Sequence, residues 1–139
     1  LAKFQLKGLQ QYVDKLAVLE SPSAVAKIIK YAVWPGAGIV ADSIKAATPV
    51  GKIEGGDLRD SMYLTTFRDD NGYIYTQVKW DGYDHNNTPN ALKANVLETG
   101  RSDGKGKHPF IHAAVKRVQK QAEAEIKKAL LEKIDQIMK

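Results

Sequence analysis

The side chains best able to do chemistry are His108 and His112, the glycine- and lysine-rich stretch from Gly100 to Lys107, and the carboxylates Asp57, Asp60, Asp81, Asp84 and Glu98. Two histidines one helical turn apart can share a metal ion. Here no Glu follows His108 directly, and the remaining histidine is the distant His85. The expectation is therefore no metal site, with His108 capping a loop and His112 packing at a surface. A phosphate-binding loop needs a fixed spacer before Gly-Lys and a Ser or Thr after it, whereas Gly104-Lys105 is followed by Gly106. That stretch reads as a basic linker. No local spacing pairs one carboxylate with another as acid and base. The absence of cysteine removes thiol nucleophiles, disulfides and thiolate metal sites together. Asn86-Asn87-Thr88 fits a glycosylation acceptor but reads as incidental. The expectation is no catalytic residue, no cofactor and no metal.

The elements that must position these groups follow from length and periodicity. A chain of 139 residues, 43% hydrophobic and 27% charged, suits one globular domain over 1–139. No apolar run is expected to reach the roughly 20 residues that span a bilayer, so no membrane contact is expected. Phe4, Leu6, Leu9, Tyr12, Val13, Leu16 and Leu19 predict an amphipathic helix from Lys3 to Glu20. Ser21-Pro22 then supplies a cap followed by proline at the first helical position, starting a second helix. Trp34-Pro35-Gly36 predicts a kink or break near Val33, because proline removes a backbone donor and clashes with the preceding turn. Thr48-Pro49 ends the helical pattern, and a glycine-rich loop runs from Val50 to Gly56.

Aromatic and β-branched residues in 61–68 and 73–80, joined through Asn71-Gly72, predict a hairpin. In its second strand Ile74, Thr76, Val78 and Trp80 share one face. Tyr73, Tyr75, Gln77 and Lys79 share the other, which could meet a partner. A mobile polar loop is expected from Asp81 to Asn90, then a third strand from Ala91 to Glu98. Ile111, Val115, Val118, Ala122, Ile126, Leu130, Ile134 and Ile137 predict a long C-terminal helix. About 30 residues of helix reach roughly 45 Å, so its far part should pack on the first helix or on a neighbouring subunit. The fold class expected is α+β: N-terminal helices, a small antiparallel sheet with a hairpin, and a long C-terminal helix.

The formal charge is +5, and the consistently basic stretch is Arg101 to Lys120, with Arg101, Lys105, Lys107, Lys116, Arg117 and Lys120. Such a run can release counterions from phosphate, so a basic nucleic-acid-binding module stands as an alternative reading. A small hydrolase is the weaker rival. Arg59 and Glu98 carry two readings: hydrogen bonds that hold loop ends to the sheet, or a guanidinium and a carboxylate aimed across a subunit boundary.

An ordered set of short motifs adds a family. Thr48-Pro49-Val50 is followed by Gly56, Leu58, Arg59 and Ser61, then Glu98 and Gly100, then Pro109, Phe110, Ala113 and Ala114. The set covers about half the chain and resembles the tail-component family of long-tailed bacteriophages, whose members join head to tail or complete the tail. The loop from Val50 to Gly56 is longer than the family's usual connection, and Thr99 stands where an aromatic is common. The resemblance implies an α+β virion protein of the neck or tail, assembled in the host cytoplasm as a homo-oligomeric ring, first a hexamer. The implied partners are a head connector or head-closure protein and a tail-tube or tail-terminator protein. Arg59, Glu98, Tyr73 and Tyr75 would make subunit or partner contacts, while Arg101, Lys105 and Lys107 would face DNA in the channel or a partner.

Overall fold

The computed structural model describes residues 9–49, 57–70, 73–84, 86–100 and 109–138. The fold is α+β. Two long helices, α2 (Pro22–Ala47) and α5 (Phe110–Met138), pack along each other. Around them lie α1 (Gln10–Leu19), the single turn α3 (Asp57–Asp60), the short strands β1 (Met62–Leu64), β2 (Arg68–Asp70), β3 (Tyr73–Tyr75) and β4 (Val78–Trp80), and α4 (Asn90–Thr99). The start of the first predicted helix, the glycine-rich loop, Asn71-Gly72, His85 and the basic linker lie outside the described residues.

Ser21 starts α2 as expected, its hydroxyl accepting the Ala24 N–H at 3.3 Å. Of the kink or break predicted near Val33, the break does not occur; α2 runs unbroken through Pro35. Proline still deprives the Tyr31 carbonyl of its helical donor, yet Tyr31 and Pro35 are both exposed, so water can serve that carbonyl. On the opposite side Gly36 is buried against α5, where an added Cβ would stand 2.6 Å from Ile126 Cδ1. Close packing of the two helices outweighs the local cost of proline. By length and composition α2 is also apolar enough to cross a membrane, which corrects the expectation that no segment qualifies. In this fold its buried residues include Val25, Ala32, Val40 and Ile44, which belong to the core.

The core has two parts, both built on α5. One joins Leu9, Leu16, Val25 and Ala32 to Ile126, Leu130 and Ile134. This places the far half of α5 on α1 and α2 within the same chain. The other joins Val40, Ile44, Leu58 and Ala94 to Phe110, Ile111, Ala114 and Ala122. Met62, Val78 and Trp80 pack against this second part.

The hairpin is present but interrupted. Met62 pairs with Trp80 and Leu64 with Val78, whereas Arg68 pairs with Tyr75 and Asp70 with Tyr73. Thr65-Thr66-Phe67 therefore faces Thr76-Gln77, an extra residue on one strand of the kind that bends a ladder. Hydroxyls fill the gap: Thr65 Oγ1 accepts the Gln77 N–H at 2.9 Å, and Thr76 Oγ1 donates to the Thr65 carbonyl at 2.6 Å. The expected division into a buried and a partner-facing side is not sharp, since Tyr75, Gln77 and Lys79 are half-buried like Ile74 and Val78.

Two further expectations are corrected. Ala91 to Glu98 is not a third strand but most of α4. Ala91, Leu92, Lys93, Ala94, Leu97 and Glu98 are all strong helix formers, and the buried Asn90 and Ala94 lie one turn apart. Gly100, at φ 85°, ends α4 with its N–H on the Val96 carbonyl, a conformation that favours glycine. The segment before α4 is not a loose loop either. Asp84 Oδ1 accepts the Asn86 and Thr88 N–H groups at 2.9 Å, and Oδ2 accepts from Lys93 Nζ at 3.1 Å. Asn90 bonds back to the Asp81 carbonyl at 2.9 Å.

Candidate interaction surface

Of the residues considered for chemistry, Asp84 and Glu98 are put to structural use. Asp84 is buried in its own turn, and the Thr88 N–H, then Lys93 and Asn86, hold its carboxyl below the usual value against the opposing effect of burial. Asp60 and Asp81 are exposed. His112 is exposed, as expected. Among the described residues no group of three or more His, Cys, Asp or Glu side chains could hold a metal ion.

Glu98 and Arg59 have separate partners. The Glu98 carboxylate accepts the Ile111 N–H at 2.8 Å and the His112 N–H at 2.9 Å, so the end of α4 caps the start of α5. Free N–H groups and the positive end of the helix dipole both favour a carboxylate there. Arg59 sits in α3 and donates from Nη2 to the Thr48 carbonyl at the end of α2, at a long 3.4 Å. Its Nε is buried without a hydrogen-bond partner. Tyr75 is half-buried in β3, and Tyr73 pairs through its backbone with Asp70. Arg101, Lys105 and Lys107 lie outside the described residues.

The surface that the residue patterns did not single out is an aromatic groove between α2, α5 and the hairpin. It has a volume of about 670 Å³ and is lined by Tyr31, Trp34, Pro35 and Phe67, with Lys128 and Glu132 among its charged walls. Tyr31 is 63% exposed and Trp34 47%. Trp34 meets Phe67 edge-on at 5.6 Å, and Lys133 lies 4.5 Å from the Tyr31 ring centroid. Phe67 belongs to the extra-residue segment of the hairpin, so the bend in the ladder and the unbroken α2 together place the two rings. The sequence signal was Tyr31 and Trp34 one turn apart beside a proline, a pattern that also reads as a helix break. The groove can receive an apolar knob framed by charge.

Compared with protein-family models, curated proteins and solved structures, the chain matches none.

Proposed function

We propose that the protein is a non-enzymatic structural component of a long-tailed bacteriophage virion, acting at the neck or tail end as a homo-oligomeric ring between head connector or head-closure protein and tail-tube or tail-terminator protein. The motif resemblance supplies the class. The observation that carries assembly is the exposed aromatic groove: tyrosine and tryptophan in a pocket are the side chains around which protein interfaces gain most of their energy. The occupant we assign is a second copy of the chain, because a groove meeting a different patch on its neighbour gives a head-to-tail contact, the kind that closes into rings. Arg59 is a second candidate contact, since its guanidinium is only half-buried and its bond to the Thr48 carbonyl is long, at 3.4 Å.

Native mass measurement of the full chain tests this reading. A closed oligomer, first expected as a hexamer, should be lost in Tyr31→Glu while the thermal melt of the monomer stays close to the original, since Tyr31 is mostly exposed. Arg59→Ala should likewise lower assembly more than it lowers the melt. A chain that stays monomeric at high concentration, and is missing from purified virions, overturns the proposal.

A further inference from the structure

The formal charge of +5 does not come from the described residues. The described residues hold equal numbers of basic and acidic side chains, so any basic face is a local asymmetry. One such face exists on the first half of α5. From Phe110 to Ala122 the helix contains no carboxylate but carries Lys116, Arg117 and Lys120, all exposed. Beyond it Glu123, Glu125, Glu132 and Asp135 alternate with Lys127, Lys128 and Lys133.

Helix geometry sets the three cations together. Lys116 and Lys120 are one turn apart, and Arg117 lies on the adjoining row. They border a shallow depression of about 360 Å³ also lined by Gln119 and Glu123. Glu123 is the one carboxylate on its rim, and it accepts from Gln119 Nε2 at 3.2 Å. Among the described residues neither lysine nor the arginine forms an ion pair. The exposed neighbours Ala113 and Ala124 are small and bring no aromatic anchor. That composition is the opposite of a protein-interface core, which is poor in lysine and rich in aromatics, and it contrasts with the groove at Tyr31 and Trp34. Cations in a row, with no ion pair and no apolar centre among the described residues, match a repeating polyanion.

We propose that the exposed face of α5 bearing Lys116, Arg117 and Lys120 is a contact surface for the sugar–phosphate backbone of double-stranded DNA, bound without regard to sequence. The inference deepens the ring reading by naming the polymer that such a ring would surround. It stands on charge and exposure alone, so ring mass and DNA affinity can fail separately.

The test uses the full chain and a labelled duplex in fluorescence anisotropy across a salt series. Binding should weaken steeply with salt and be equal for two unrelated sequences. The triple variant Lys116→Gln, Arg117→Gln, Lys120→Gln should bind at least about tenfold more weakly, with the slope of log affinity against log salt reduced by about 2.7 for three lost phosphate contacts. A control variant, Lys15→Gln, Lys27→Gln, Lys45→Gln, removes the same charge from exposed positions on α1 and α2. It should keep both slope and affinity. Circular dichroism melts of both variants confirm folding. Undetectable binding by the wild type at low salt overturns the proposal, as does equal loss in both variants. So does tighter salt-sensitive binding to poly-glutamate or to phosphatidylglycerol vesicles than to duplex, which would assign the face to an acidic protein or a membrane.

Discussion

The two ends of α5 are held in different ways. Its far half lies among Leu16, Val25, Ala32, Ile126, Leu130 and Ile134, an all-helical cluster in which apolar burial sets the arrangement. Its near half is also buried, among Val40, Ile44, Leu58 and Ala94, but adds polar contacts that fix its start: Glu98 on the Ile111 and His112 N–H groups and Ser43 Oγ on the Ala114 carbonyl at 2.9 Å, with the Asp84–Lys93 pair holding the turn before α4. Apolar burial is non-directional and scales with area, so it tolerates sequence variation as long as the spacing is kept. Hydrogen bonds to fixed N–H groups need one geometry, and they specify where an irregular segment ends. The contrast suggests that the all-helical end supplies most of the stability and the mixed end most of the precision.

The sharpest way to break that contrast is to remove mass from the helical end. Ile126 is almost fully buried and lies against Gly36, where an added Cβ would collide with it. Ile126→Ala should cost about 2–5 kcal/mol through lost burial and a residual cavity, a fall in melting temperature on the order of 10 °C. Glu98→Ala, at the mixed end, should cost less, about 1–3 kcal/mol, because two N–H groups of the first turn of α5 lose a charged acceptor. If chemical denaturation shows Glu98→Ala to be the more damaging change, the assignment of stability to the helical end is inverted. Ser21→Ala should be smaller again, about 0.5–1 kcal/mol, since its cap bond is long and exposed.

What could be read from sequence divides along the same line. The long helices were legible because Leu16, Ile126, Leu130 and Ile134 repeat at helical spacing, and burial followed that spacing. Ser21 and Thr48 marked the ends of α2 by local chemistry alone. The misreadings lie where non-local contacts decide. Pro35 is tolerated because Gly36 packs on Ile126, a residue far away in the chain. The segment from Ala91 to Glu98 is the exception: its strong helix formers were a local signal, but it is short and weakly periodic and shows no clear helical face. The groove was hidden by non-local packing: Phe67 reaches Trp34 only after an extra residue bends the hairpin, and no pattern in 61–80 announces that residue.

The smallest effect expected at neutral pH concerns the turn under α4. Asp84 accepts two backbone N–H groups and the Lys93 ammonium, and its pKa in the folded protein is lowered from 3.8. An unfolded chain holds an aspartate near its ordinary value of about 3.9. With the folded pKa the lower of the two, the unfolded state binds the proton first as pH falls, so stability decreases with acid. The contribution is complete above the unfolded value and is lost as pH drops through the folded one. Between pH 5 and 8 the group is ionised in both states and its slope is flat. Asp84→Asn keeps an oxygen acceptor for the Asn86 and Thr88 N–H groups but removes the charge and the titration. Urea denaturation at a series of pH values should therefore show a shallower acid limb in Asp84→Asn below about pH 4. Lys93→Gln should also make that limb shallower, but by less, because the Thr88 N–H is the larger cause of the lowered pKa. An acid limb left unchanged by Asp84→Asn would show that the turn is held by its backbone alone, and the order and strength of polar contacts assigned to the mixed end would have to be redrawn around Glu98.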